Sequence, residues 1–285
     1  MRTYVDLAQL AADFPILTNL VHLNGDGSFK DVYSADHPTD GPVVLKLIDP
    51  GQDAESIKRE IIAAQQVGNL RVPEVFEVGK VRTPIGDSTW IREKRIVGQS
   101  VRALLQQGPF DTTSLLKLGL HGLEALVAAE NVHIVHRDVK PDNMMCDTNS
   151  DFWLLDFGIA RHLKLTSQTA TMSAFGKCTP GYAPTEQFRN YKHEIDARSD
   201  LFALGVTLYE CATGSNPFWE GTRDSMEVLR RTEKMQLPTL NLTFESAKEF
   251  GDLVDAMTQK HYRHRPQSAK EALDWMRDIA EKEGI

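Results

Sequence analysis

Apolar and polar positions alternate with the period of strands before residue 97 and follow longer, helical spacings after residue 100. Residues 3–12 predict a short helix, with Val5, Leu7 and Leu10 on one side, capping the first strand. Residues 20–23 and 32–35 predict a strand–turn–strand, residues 43–48 a strand interrupted by one lysine, and residues 75–78 and 90–93 two strands about a turn at 83–88. In the second part, Leu116, Leu120, Leu123 and Val127 define the apolar face of a helix over 115–129. Residues 200–212 are apolar nearly all round, which predicts a buried helix stopped by Gly214, and amphipathic helices follow around 250–254 and 272–276. The polar stretch holding Thr166, Ser167, Thr169, Thr171 and Ser173 has little periodicity and reads as a loop.

Between these parts lies the stretch with the most chemistry. Ile134 and Val135 lead into His136-Arg137-Asp138-Val139-Lys140-Pro141-Asp142-Asn143, and residues 144–146 and 152–155 form a hairpin around the turn cluster 147–151. Such a hairpin brings Asn143 and Asp156 to one end of a small sheet. An amide oxygen and a carboxylate so placed are hard donors suited to Mg²⁺, which takes few protein ligands and leaves room for phosphate oxygens. Asp138 is near enough in sequence to receive a proton from an incoming hydroxyl, and Lys140 could neutralise charge on a transferring phosphoryl group. Upstream, Gly25-Asp26-Gly27-Ser28-Phe29-Lys30 places two glycines between strands, where a backbone can approach phosphates, although that pair taken alone favours a plain hairpin. Lys46 lies within an apolar strand, where a charge requires a partner.

The series His-Arg-Asp-x-Lys-Pro-x-Asn with Asp156-Phe157-Gly158 thirteen residues on resembles the signature of the protein-kinase family. The resemblance covers residues 16–280 and implies an α+β, bilobal fold. It has a small antiparallel-sheet N-lobe with one key helix (about 1–95) and a larger, mainly helical C-lobe (96–285), within one domain over 1–285 and with a hinge near 93–98. It further implies that Asp138 acts on the substrate hydroxyl, with Lys140 and Thr179 in the same catalytic set, and that Asn143 and Asp156 hold Mg²⁺ (Mn²⁺ as the alternative). Lys46, braced by Glu60, would hold the α- and β-phosphates of ATP. Gly25 through Lys30 would cover the nucleotide, and Val32, Val44 and Met145 would line the adenine slot. His136, Arg137, Phe157, Glu186, Asp200 and Arg265 fall at regulatory or structural positions: Glu186 pairs with Arg265, and Asp200 both caps its helix and anchors the catalytic loop. The chain departs from the family pattern at Lys30, where a third glycine is usual and where solvent is the expected direction, and at Pro184-Thr185-Glu186, where Ala-Pro-Glu is usual.

Lys140 and the Thr179-Pro180 pair favour serine and threonine acceptors, and the compact bacterial eukaryotic-like kinases are the members this chain looks most like. The expected partners are ATP and a protein substrate, with transient self-association for autophosphorylation at Thr171, Ser173 or Thr169. A binding-only pseudokinase and a small-molecule phosphotransferase are the rival readings. The formal charge of −8 argues against nucleic acid or an anionic membrane as the main partner. Cys146, Cys178 and Cys211 show no metal-ligand spacing and suggest no disulfide framework, and no signal peptide or apolar span interrupts the sequence, so a soluble, cytoplasmic protein is expected.

Overall fold

A five-stranded antiparallel sheet carries the first part of the chain, in the order β1 (Thr18–Leu23), β2 (Lys30–His37), β3 (Gly41–Ile48), β5 (Gly86–Lys94), β4 (Val75–Thr83). The computed structural model describes residues 5–23, 30–48, 65, 67, 71–84, 86–156 and 178–285. These fall into two units, the first made of residues up to 67 with 73–97, the second of 71–72, 98–156 and 178–285. β3 is central because Val43, Leu45, Leu47 and Ile48 bury apolar side chains on both of its faces.

Strand register sorts the first unit's residues onto two faces. On one, Tyr33, Ala35, Val43, Leu45 and Leu47 pack with Val5, Leu10 and Leu17 from α1 (Leu7–Asp13) and its flanks. The Tyr33 hydroxyl donates to the Val5 carbonyl at 3.2 Å, fastening the chain before the helix to the sheet. Leu10 is fully buried, whereas Leu7, expected on the inner side, is 42% exposed. So short a helix presents only one residue-wide stripe to the sheet. On the opposite face β2 and β3 place Val32 across from Lys46 and Ser34 across from Val44, and β5 places Glu93 across from Val44.

In the second unit, β6 (Gly98–Ser100), β7 (Met144–Asp147) and β8 (Phe152–Leu154) form a small antiparallel sheet, so the expected hairpin is present. Ser100 then caps α2 (Val101–Leu105), its hydroxyl accepting from the Ala103 amide at 3.1 Å. α3 (Thr112–Asn131) is capped by Asp111 and buries Leu115, Leu116, Leu118, Leu123, Ala125, Leu126 and Ala129. Leu120 and Val127, expected on its inner face, are only half-buried, because neighbours pack α3 from more than one side. After α4 (Thr185–Phe188), α5 (Ala197–Thr213) is buried almost throughout, as its sequence predicts. It begins at Ala197 and not at Asp200: Asp196 is the cap, accepting from the Arg198 amide at 2.9 Å. Gly214 closes α5 with φ 84, a left-handed conformation that costs glycine little. A Cβ at Gly205 would lie 2.7 Å from Thr258 Cγ2, so the approach of α7 (Ala247–Met257), which follows α6 (Ser225–Lys234), depends on that glycine. α8 (Ala269–Lys282) completes the unit. Among the described residues no helix is long and apolar enough to cross a membrane, and Cys146, Cys178 and Cys211 are free thiols.

Candidate active site

The loop between α3 and β7 is held from outside itself. Asp200, 2% exposed in the first turn of α5, accepts from the His136 amide at 2.7 Å and from the Arg137 amide at 2.6 Å. Its carboxylate therefore anchors the loop, while capping of the helix falls to Asp196. Arg137 has φ 66, a region an arginine seldom occupies, and the Gln187 side-chain amide donates to its carbonyl at 2.8 Å. Bonds on both sides of that peptide hold the strained turn. His136 is fully buried; its Nδ1 accepts from the Asp138 amide at 3.2 Å, so its Nε2 is the donor to the Leu155 carbonyl at 2.7 Å. One imidazole thus ties the loop to the segment that follows β8.

The turn so fixed presents Asp138, Lys140 and Asn143 together with Thr179. Thr179 Oγ1 donates to Asp138 Oδ1 at 2.7 Å and accepts from Lys140 Nζ at 3.0 Å. Lys140 Nζ also lies 3.1 Å from Asp138 Oδ2, and Asn143 Nδ2 donates to the same oxygen at 2.9 Å and to the Asp138 carbonyl at 2.8 Å. Both carboxylate oxygens are therefore oriented by charged or polar donors. Asp138 and Lys140 keep 27% and 20% of their side chains exposed, enough for an incoming group to reach them. A carboxylate in hydrogen-bond contact with a hydroxyl and beside an ammonium can take up a proton while the cation balances negative charge on a group in transfer.

Asn143 and Asp156 are brought together by the Leu155 amide, which donates to the Asn143 carbonyl at 2.8 Å. With Nδ2 committed to Asp138, Asn143 has Oδ1 as the atom a cation could use, and Asp156, at φ 61, follows Leu155 with a carboxylate that could join it. Among the described residues no three His, Cys, Asp or Glu side chains cluster as a metal cage. Two hard oxygen donors fit a divalent ion that draws its remaining ligands from phosphate and water. Met145 is half-buried on β7, opposite Trp153.

In the first unit Lys46 is 5% exposed and its Nζ lies 2.6 Å from Glu93 Oε1. Val32 and Val44 are half-buried on the same sheet face. Lys30 opens β2 opposite Ile48 on that face too and is half-buried. Gly25, Asp26, Gly27, Ser28, Phe29, Glu60, Phe157, Thr169, Thr171 and Ser173 lie outside the described residues.

Away from the loop, Glu186 and Arg265 meet in the interior: Arg265 NH1 donates to Glu186 Oε1 at 2.6 Å and NH2 to Oε2 at 3.3 Å, and Ser199 adds a bond of 3.0 Å. Three residues with polar roles were not singled out in the sequence. Glu93 had only the signal of an acid inside an alternating strand, with nothing in the sequence to pair it with Lys46. Gln187 had none beyond its neighbour Glu186. Arg102 donates to Glu210 and Tyr182, both at 2.7 Å, and to Asp142 at 3.1 Å, linking α2, the segment after Thr179, α5 and the turn that carries Asp138. Burial opposes its charge, but Tyr182, Glu210 and Asp142 outweigh that and hold the guanidinium above its ordinary value. Burial and Glu210 push the Tyr182 phenol up, against Arg102.

Residues 19–276 match the family model described as protein kinase domain. The chain is 35% identical over 215 residues to the serine/threonine-protein kinase PknD of Mycobacterium tuberculosis, covering 74% of this chain and 31% of that protein. It is 29% identical over 258 residues to the probable serine/threonine-protein kinase PknB of Corynebacterium glutamicum, covering 87% of this chain and 40% of that one. A third relative, PknB of Mycolicibacterium smegmatis, is 33% identical over 162 residues, 56% of this chain and 26% of that protein. The chain thus spans two fifths or less of the length of these curated relatives.

Proposed function

Because the chain belongs to the protein kinase domain family, we propose that it transfers the γ-phosphoryl group of ATP to serine or threonine hydroxyls of protein substrates. The observation that carries the reading is the closed set of contacts among Asp138, Lys140, Asn143 and Thr179. Asp138 is the group that orients the acceptor hydroxyl and takes its proton. Thr179, a hydroxyl 2.7 Å from that carboxylate, displays the contact the acceptor would make. Lys140 offsets charge on the transferring group. Asn143 and Asp156 would hold Mg²⁺, or Mn²⁺ in its place, which supplies charge neutralisation between phosphates when bound. Lys46, with Glu60 as a further brace, would hold the α- and β-phosphates, while Gly25 through Lys30 cover the nucleotide and Val32, Val44 and Met145 face the adenine. Since phosphoryl transfer asks little covalent chemistry of a protein, placement and charge carry the catalysis.

The cytoplasm is the compartment that suits three free thiols, and transient self-association would serve autophosphorylation. The test incubates the protein with labelled ATP, Mg²⁺ and a mixed protein substrate beside Asp138→Asn protein. Label should enter serine and threonine of the substrate, and the variant should lose at least about a hundredfold in kcat while binding Mg·ATP with little change by calorimetry. Asp156→Asn should weaken Mg·ATP binding as well. Nucleotide binding without transfer would favour a binding-only role, and label only in small molecules a different acceptor class.

A further inference from the structure

We propose that Glu93 is a positioning residue for Lys46, holding its ammonium along the sheet where the phosphates of a nucleotide can meet it; this rests on the nucleotide-binding role of Lys46 given above. Lys46 Nζ and Glu93 Oε1 are 2.6 Å apart, and their side chains are only 7% and 10% exposed. The contact follows from register. Lys46 stands across from Ile91 and Val44 across from Glu93, so the lysine and the carboxylate are diagonal neighbours on one face of β3 and β5. Both strands are interior to the sheet, and Glu93 itself is paired to Val44 on one side and Val75 on the other. The carboxylate therefore rides on backbone held by ladders on both flanks, which fixes its position better than a loop would.

A lysine reaches its site on a flexible four-carbon stem, and freezing that stem costs entropy unless a fixed anion selects one rotamer. Its ammonium has three donors, so the bond to Glu93 does not by itself exhaust its capacity for a phosphate oxygen. Taking the carboxylate away leaves a buried cation with less to stabilise its charged form, and a lysine in that situation turns toward the neutral amine or toward water. Either change removes attraction for phosphates. The effect should therefore be confined to ligands that carry phosphates and should require Lys46.

Calorimetric titration of the full chain with metal-free ADP and with adenosine, in Glu93→Gln, Lys46→Met and the double variant, reads this coupling. Glu93→Gln should weaken ADP roughly tenfold and change adenosine by less than about twofold, and with Lys46→Met already present it should change ADP by less than about twofold. Glu93→Asp keeps the charge but shortens its reach and should fall between; it serves in place of Glu93→Gln if thermal melting shows that variant unfolded. Equal losses for ADP and adenosine, or an undiminished loss in the Lys46→Met background, would make Glu93 a packing residue and overturn the proposal. Tighter ADP binding by Glu93→Gln would overturn it as well, showing that the carboxylate withholds the ammonium. Wild-type protein that binds neither ligand would instead remove the nucleotide reading on which the proposal stands.

Discussion

Arg137 shows how a single residue's conformation is sustained by distant side chains. Its φ of 66 is held by Asp200 at its amide and Gln187 at its carbonyl, and the next residue is Asp138. In Asp200→Asn one oxygen is replaced by an NH₂ group facing an amide donor. That leaves a buried N–H without its acceptor, at a cost of about 1–3 kcal/mol. The expected outcome is a lower urea midpoint together with a kcat that falls more than KM rises, since the loop and not the nucleotide is misplaced. Gln187→Ala removes only the carbonyl's partner and should cost less, about 1 kcal/mol, in the same denaturation series.

Among whole elements, the buried Glu186–Arg265 pair joins α4 to the turn before α8, and Arg265 also donates to the carbonyls of Arg198, Gln259 and Lys260. Removing one charge strands the other, so Glu186→Gln should destabilise by about 3–5 kcal/mol. Ser199→Ala, which deletes one hydroxyl donor to the same carboxylate and leaves the ion pair in place, should cost less, about 1.5–3 kcal/mol; thermal or urea unfolding compares the two. Close by, Lys260 Nζ lies 5.3 Å from the Phe202 ring and 4.9 Å from that of Phe218, with no hydrogen-bond partner among the described residues. Burial and the nearby Arg265 lower its ammonium from 10.5 to about 8. Between those two values the unfolded chain binds more protons than the folded one, so this residue makes stability climb with pH across that window. Below it the full cost of a buried charge is present. Lys260→Met should flatten that part of the stability profile and raise stability at neutral pH by about 1–3 kcal/mol, read by urea unfolding at several pH values.

At the scale of the whole molecule, one exposed arginine is a place where a phosphate would act. Arg137 is exposed beside Asp138, and none of the described residues pairs with its guanidinium. A phosphate on Thr171, Ser173 or Thr169 would give it a bidentate partner. Intact-mass and peptide mass spectrometry should find phosphate between Gly158 and Thr179 in active protein and none in Asp138→Asn protein made identically. Full activity after changing all three residues to alanine would remove self-activation through this segment. Much of the architecture was legible beforehand because it depends on local pattern: strand alternation around Lys46, the buried α5, and the hairpin joining Asn143 to Asp156. Family motifs added the pairing of Glu186 with Arg265, residues far apart in the chain. Tertiary structure decided what spacing cannot encode. Sheet register, a matter of which strands become neighbours, placed Glu93 against Lys46, and the packing of α5 against the loop gave Asp200 partners sixty-four residues earlier, while the cap is the local bond made by Asp196. Leu7, Leu120 and Val127 departed from their expected burial for the same reason: a periodic pattern marks a face, but only the surrounding elements determine how much of it is covered.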